Sequence, residues 1–149
     1  MTPMTIKVED CIFFLLARAQ QSGVRFWTQA LADTNLTAVQ AMVLNFLNRR
    51  DPVTAKELSE RTGLDTATLT GVLDRLETSG WIERRRHPSD RRAIHILLTD
   101  QGRKIVPLLQ KKMEKANRDF LAALDEGEQK EFRRLLRAVR NTEAVMPQA

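Results

Sequence analysis

TAKELSERTGLDTATLTGVLDRLETSGWIERRRHPSDRRAIHILLT, residues 54–99, is the stretch that decides the fold. Thr54 and Glu57 have the spacing of a capping box, in which a hydroxyl and a carboxylate each accept a hydrogen bond from an amide that a helix start leaves unpaired. Gly63 stands where glycine commonly ends a helix, and Asp65 can cap the next one. The stretch therefore predicts two short helices joined by a tight turn.

The second of these helices is predicted to have two chemically different faces. Its apolar residues recur at helical spacing and should face a core: Leu69, Val72, Leu73 and Leu76. The opposite face carries short polar groups, as a helix that enters a DNA major groove needs: Thr66, Thr68, Thr70, Gly71, Asp74 and Arg75. We expect the three threonines to contact base edges or thymine methyl groups. Arg75 should reach guanine or a phosphate or, alternatively, form a surface ion pair with Asp74 or Glu77.

After Gly80, two runs of alternating residues predict a pair of strands, one from Ile82 and one ending at Leu98. Between Arg84 and Arg92 there are five arginines and one aspartate, which gives these nine residues a local charge of +4. Such a concentration of charge is typical of an element that binds phosphates, although a solvated arginine-rich loop is the alternative. Because this loop follows a helix-turn-helix, we favour the first interpretation and assign phosphate contacts or strand-surface charge to Arg84, Arg85, Arg86 and Arg91.

The same stretch resembles the MarR family of bacterial transcriptional regulators. The most specific elements are the DRLE-x-x-G turn at Asp74–Gly80, the Asp-x-Arg at Asp90–Arg92 and the LT-x-x-G exit at Leu98–Gly102. The flanking helices match in length and order, so the resemblance extends over essentially the whole chain. It implies a mainly α fold with a small β-hairpin wing. It also implies that Arg92 enters the minor groove while Asp90 orients it through a bidentate pair.

Long helices are predicted on both sides of residues 37–98, which we call the reading head. One helix should run from Val8 to about Ala32 with a broad apolar stripe. A second should start at Thr99, with a heptad-like spacing at Leu109, Met113, Ala116, Phe120 and Ala123. The last should begin with a capping box at Asp125 and Glu128 and carry Phe132, Leu135, Leu136 and Val139 on one face.

These flanking helices carry more apolar surface than one small reading head can cover. We therefore expect a two-fold homodimer, in which residues 1–36 and 99–149 form the dimerisation region and residues 37–98 the winged helix-turn-helix DNA-binding domain. An intramolecular helical bundle is the alternative. A two-fold protein presents two recognition helices to successive major grooves, so the expected partner is double-stranded DNA with near-palindromic half-sites roughly 10 bp apart.

Regulation requires a second site. In proteins that this chain resembles, small and often aromatic or phenolic anions bind between the dimer helices and the reading head. The corresponding residues here would be Phe14, Arg18, Trp27, Met42 and Phe46. The alternative is that these residues serve only in the core and the interface.

Cys11 raises a different possibility. The run DCIFFLLARAQQ resembles the first helix of the peroxide-sensing branch of the family, in which a cysteine near this place is oxidised and DNA is released. A helix start favours a thiolate, whereas the neighbouring Asp10 disfavours it. That branch uses tyrosines to hold its cysteine, and this chain contains none. We favour the alternative that Cys11 is a small buried hydrophobe.

Composition excludes several other classes of protein. The 149 residues suit one domain or one protomer of a dimer, and the net charge of +5 suits a polyanionic partner. A single cysteine and the lack of a long apolar run indicate a soluble cytoplasmic protein with no membrane association. No sequence cluster has metal-ligand spacing, and no nucleotide-binding or hydrolase motif is present, so we expect neither a cofactor nor an enzyme. A winged helix used only for protein contacts is the remaining rival, but it has no need of Arg92 held by Asp90.

Overall fold

Six α-helices and three short strands occur in residues 5–48, 52–90 and 93–140, which are the residues that the computed structural model describes. In chain order they are α1 (Ile12–Ala30), α2 (Ala38–Leu47), β1 (Val53–Thr54), α3 (Ala55–Thr62), α4 (Thr66–Thr78), β2 (Ile82–Arg86), β3 (Ile94–Leu98), α5 (Asp100–Phe120) and α6 (Glu126–Arg140). Short 3₁₀ turns lie at Val8–Asp10 and Ala32–Thr34. The predicted fold class, mainly helical with a small wing, is confirmed.

A capping box sets the start of α3, as the sequence predicted. In the box before α3, the Glu57 amide donates to Thr54 Oγ1 at 3.2 Å and the Thr54 amide donates to Glu57 Oε2 at 3.1 Å. Thr37 forms the equivalent box before α2. Gly63, with a φ of 73°, ends α3 in the left-handed region that glycine adopts without strain.

The predicted start of the first helix at Val8 is wrong. Val8–Asp10 form a 3₁₀ turn, and Cys11 has extended backbone angles, with φ −67° and ψ 127°. These angles interrupt the helical path, so α1 begins at Ile12 and Cys11 occupies its N-cap position.

The wing belongs to a three-stranded antiparallel sheet in the order β1-β3-β2. The predicted hairpin is present, with Ile82 opposite Leu98 and Arg84 opposite Ile96. The sequence did not indicate β1, which is only two residues long and pairs Val53 with Ile96. This extra strand ties the base of the wing to the start of α3.

The core lies between α2, α3, α4, the sheet and the first half of α5. As predicted, Leu69, Leu73 and Leu76 of α4 are buried, and Val72 packs against the same cluster. Helix α5 adds Val106 and Leu109, both fully buried. These contacts fix α4 from behind and leave its polar face outward.

The described residues divide into two compact units, one up to Ala116 and one from Asn117. In the second unit the predicted capping box is confirmed, since the Glu128 amide donates to Asp125 Oδ1 at 2.8 Å and the Asp125 amide donates to Glu128 Oε2 at 2.9 Å. Gln129 Nε2 donates to the carbonyls of Leu121 and Leu124, which closes the turn before α6.

Groups of apolar side chains remain exposed on α1 and α6 in the single chain. On α6 they are the predicted residues Phe132, Leu135, Leu136 and Val139. On α1 the first turns expose Ile12, Phe13, Phe14, Leu15 and Leu16. Within the described ranges, no helix is both long enough and apolar enough to cross a membrane.

Candidate nucleic-acid interface

Helix α4 presents one continuous exposed face. All of the residues that the sequence placed there are exposed: Thr66, Thr68, Thr70, Gly71, Asp74 and Arg75. At about 100° per residue this face divides into two rows, one with Thr66, Thr70, Asp74 and Glu77 and the other with Thr68, Gly71 and Arg75. We call them the acidic row and the Arg75 row. A β-carbon on Gly71 would meet open space, so the middle of the face carries little bulk.

Two of the threonine hydroxyls are already engaged inside the protein. Thr68 donates to Asp65 through both its amide and its hydroxyl, each at 2.8 Å. These two hydrogen bonds hold the pKa of Asp65 below its ordinary value, and the bond from the Thr68 amide has the larger effect. Thr70 Oγ1 donates to the Thr66 carbonyl at 2.8 Å. Because these hydroxyl hydrogens are in use, Thr68 and Thr70 can offer DNA a lone pair or a methyl group, but not a donated hydrogen bond.

Arg84 connects the wing to α4. Its Nη2 lies 2.6 Å from Asp74 Oδ1, and its Nη1 lies 3.9 Å from Glu77 Oε1. The Arg84 amide also donates to Glu77 Oε2 at 3.2 Å. The two carboxylates that the sequence offered as alternative partners of Arg75 are therefore held by Arg84. Sequence reasoning missed this contact, since its residues lie up to ten positions apart in different elements.

The other arginines of β2 are more exposed than Arg84. The side chain of Arg84 is 28% exposed, whereas that of Arg85 is 66% exposed and lies 2.6 Å from Glu83. Arg86 is also exposed. Arg85 and Arg86 are thus the described wing arginines best placed to meet a polyanion.

His87 organises the turn at the tip of the wing, a role that the sequence did not indicate. The amides of Ser89 and Asp90 each donate to His87 Nδ1 at 3.1 Å. The His87 ring also contacts His95 edge to face, with ring centroids 4.7 Å apart. This arrangement leaves Asp90 exposed at the tip. Arg91 and Arg92, and with them the predicted pairing of Asp90 with Arg92, lie outside the described residues.

The LT-x-x-G exit of the wing has a packing explanation. Thr99 Oγ1 donates to the Gly80 carbonyl at 2.6 Å and accepts from the Gly102 amide at 3.1 Å. The Thr99 amide donates to the Trp81 carbonyl at 3.1 Å. Gly80 has a φ of 81°, so the turn after α4 requires a residue that tolerates the left-handed region. These bonds join the end of β3 and the start of α5 to the base of the wing.

The residues expected to form an effector site lie in two groups. On α1, Phe14 and Arg18 are one turn apart and exposed, and Arg18 Nη1 donates to Gln21 Oε1 at 3.4 Å. Trp27 is half-buried further along α1, with its ring centroid 5.8 Å from that of Phe26. Met42 and Phe46 are one turn apart on α2 and half-buried. Their grouping into one pocket stays a prediction.

Two grooves in the described part of the chain are lined by residues other than the five expected at the effector site. One, of about 380 Å³, lies between α3 and α4 and includes Lys56, Glu60 and Thr70. Another, of about 500 Å³, lies along α1 and includes Gln20, Gln21 and Arg25. Among the residues that the structure describes, no cluster of histidine, cysteine and carboxylate side chains could hold a metal ion.

Cys11 is half-buried at the N-cap of α1. Its amide donates to the Val8 carbonyl at 3.1 Å. Complete burial, which the favoured alternative for this cysteine implied, is therefore not observed in the single chain.

Comparison with known proteins assigns this architecture. The MarR family profile matches residues 34–93. The chain is 32% identical over 113 residues to SarZ, an HTH-type transcriptional regulator of Staphylococcus haemolyticus, covering 76% of this chain and 77% of that protein. Among solved structures, BpsR of Bordetella bronchiseptica, whose DNA binding is regulated by 6-hydroxynicotinic acid, matches with a TM-score of 0.87 at 28% identity, covering 92% of this chain and 98% of that one.

A MarR variant from E. coli, solved in complex with operator DNA, matches with a TM-score of 0.81 at 26% identity, covering 91% of this chain and 99% of that one. These proteins are regulators of transcription and not enzymes. From the motifs, the winged helix and this extent of similarity, we conclude that the chain belongs to the MarR family of winged-helix transcriptional regulators.

Proposed function

We propose that this chain is a dimeric, sequence-specific DNA-binding repressor that a small aromatic anion releases from a near-palindromic operator. The observation that carries this proposal is the exposed, low-bulk face of α4 beside an arginine-bearing wing that is linked to it. A helix in the major groove and a wing over the neighbouring minor groove would read one half-site together. Such a regulator acts in the compartment that holds the DNA, which in a bacterium is the cytoplasm.

The contacts with DNA divide by chemistry. Thr66, Thr68 and Thr70 would meet base edges and thymine methyl groups, and Arg75 would reach guanine or a phosphate. Arg85, Arg86 and Arg91 would neutralise phosphates, and Arg92, oriented by Asp90, would enter the minor groove. The solved complex of the E. coli relative with operator DNA supports DNA as the partner of this chain.

Dimerisation rests on the apolar side chains that the single chain leaves in water. The first turns of α1 and the exposed face of α6 carry nine large apolar residues: Ile12, Phe13, Phe14, Leu15, Leu16, Phe132, Leu135, Leu136 and Val139. A second copy would bury them, and a two-fold arrangement would present two copies of α4 to one side of a duplex.

For the effector, we propose an aromatic carboxylate. Its carboxylate would pair with Arg18, and its ring would pack against the other residues of the proposed site, which are Phe14, Trp27, Met42 and Phe46. The regulation of BpsR by 6-hydroxynicotinic acid supports this class of ligand. The second candidate is an organic hydroperoxide acting on Cys11, since this residue is only half-buried at the N-cap of α1 and so stays partly accessible.

The test is a titration of the purified protein onto its own upstream intergenic DNA in the presence of excess random DNA. Specific binding that salicylate or 6-hydroxynicotinate releases would support the aromatic effector. Release by cumene hydroperoxide, reversed by thiol and abolished in Cys11→Ser, would support the redox candidate instead. If the affinity for the upstream DNA equals that for random DNA, there is no operator in that region. This result would favour the alternative of a winged helix used only for protein contacts.

A further inference from the structure

Asp74 places a negatively charged group on the exposed face of α4, where a DNA-binding helix should avoid one. Thr66, Thr70 and Asp74 are four residues apart, so the Asp74 carboxylate continues the row that should approach DNA. Glu77 adds a second carboxylate to the same row. Two unneutralised carboxylates near phosphates would weaken binding by Coulomb repulsion.

The geometry of Arg84 answers this problem from inside the protein. Its guanidinium lies 2.6 Å from Asp74 Oδ1 and 3.9 Å from Glu77 Oε1, while its amide donates to Glu77 Oε2 at 3.2 Å. Arg84 is also opposite Ile96, which is buried in the core, so this point of the wing is fixed from both sides. A guanidinium with two carboxylate neighbours is a poor candidate to leave them for a phosphate.

We infer that Arg84 is a positioning residue that joins the wing to α4 and neutralises the acidic row, and that it supports DNA binding without touching DNA. The inference rests on the proposed function and deepens it. It sets Arg84 apart from Arg85 and Arg86, which belong to the same strand but carry no contact with α4 among the described interactions. The fixed wing-to-helix distance would then be part of how the protein selects its site.

The direction in which Asp74→Ala changes the affinity for DNA distinguishes this positioning role from a direct contact of Arg84 with DNA. If Arg84 bound phosphate, Asp74→Ala would free it and remove a negative charge, so binding would tighten. If Arg84 positions the wing, Asp74→Ala should weaken binding by roughly three- to thirtyfold, the range expected for losing one charge-assisted contact between neighbours. Glu60→Ala is the matched control, because it removes the same charge from an exposed position on α3. It should leave affinity unchanged or slightly raised.

A double-mutant cycle completes the test. We expect Arg84→Ala to bind most weakly, because it also leaves Asp74 and Glu77 unneutralised, and we expect Asp74→Ala to cause no further loss in the Arg84→Ala background, where the contact is already absent. Affinities are measured by fluorescence anisotropy on a labelled duplex of the chain's own upstream intergenic DNA against a random duplex of the same length. The inference would be overturned if Arg84→Ala and Asp74→Ala changed DNA affinity in opposite directions and the two changes added up in the double variant. It would also be overturned if Asp74→Ala bound DNA more tightly than the wild type.

A readout without DNA keeps this result separate from the proposed function. In the free protein, hydrogen exchange of the β2 amides should accelerate in Asp74→Ala and in Arg84→Ala but not in Glu60→Ala. Unchanged exchange would overturn the positioning role even if the protein binds DNA. If instead the wild type shows no preference for its upstream DNA while exchange accelerates, the contact stands and the proposed function fails.

Discussion

Gly102, in the first turn of α5, lies so close to the main chain of Trp81 that a β-carbon on Gly102 would collide with the Trp81 carbonyl oxygen. The same carbonyl accepts the Thr99 amide at 3.1 Å. Gly102 is therefore required for space and not for backbone conformation, since the φ of Gly102 lies outside the left-handed region. This close approach fixes α5 against the turn that precedes β2.

Gly102→Ala should therefore destabilise the protein by about 1–3 kcal/mol, the usual cost of forcing atoms into a packed site. Urea unfolding followed by circular dichroism measures this change. A variant as stable as the wild type would show that the backbone at Trp81 can move aside.

Gly71→Ala, in contrast, should increase the stability of the protein. A β-carbon there meets open space, and alanine is favoured over glycine inside a helix by up to about 1 kcal/mol. If this face enters a major groove, the added methyl group should nevertheless weaken operator binding. The measurements are urea unfolding and anisotropy on the same preparation. Higher stability with undiminished affinity would place Gly71 away from DNA.

The wing arginines should contribute through phosphates. Arg86→Ala should weaken binding to operator and random DNA alike and reduce the slope of log K against log salt by about 1. Arg92→Ala should weaken binding more strongly at the operator, and both variants should keep the oligomeric state of the wild type. Anisotropy at several salt concentrations and sedimentation velocity check these expectations. An unchanged salt slope in Arg86→Ala would remove this side chain from the interface.

Asp33 provides a prediction for acid stability. Lys112 Nζ lies 2.8 Å from Asp33 Oδ2, and this hydrogen bond holds the pKa of Asp33 below its ordinary value of 3.8. A carboxyl group with a lowered pKa in the folded state stabilises the fold above its unfolded pKa and loses that effect as pH falls through the folded value. Asp33→Asn should therefore be less stable than the wild type near neutral pH, with the difference shrinking as pH falls below 3.8 and lost once pH has passed the lowered pKa of the folded state.

Urea midpoints at about pH 7, 5 and 3 test this expectation, with Asp100→Asn as the control for charge alone. Asp100 suits this purpose because its side chain is 94% exposed and its pairing with Arg103 stays within one helix. A difference for Asp33→Asn that is the same at all three pH values would contradict the assigned cause.

The starts of the side-chain-capped helices and the buried face of α4 were predictable because both depend on residues close in sequence. A cap requires only Thr37, Thr54, Asp65 or Asp125 and the amides three residues later. The apolar face of α4 follows from the helical repeat. For the same reason the MarR motifs were visible in one stretch of sequence.

What could not be predicted depends on contacts across the fold or between chains. The strand β1 is too short to show a periodic pattern, and the choice of Arg84 over Arg75 as partner of Asp74 depends on where the wing lies. The His87 turn likewise requires knowledge of the ring orientation.

The most direct measurement is selection of bound duplexes from randomised DNA by the purified protein, followed by the stoichiometry of the complex. We expect enrichment of a near-palindrome with half-site centres roughly 10 bp apart, bound by two chains, and a large loss of affinity when about 5 bp are inserted between the half-sites. Enrichment of a single asymmetric site bound by one chain, or no enrichment at all, would contradict it.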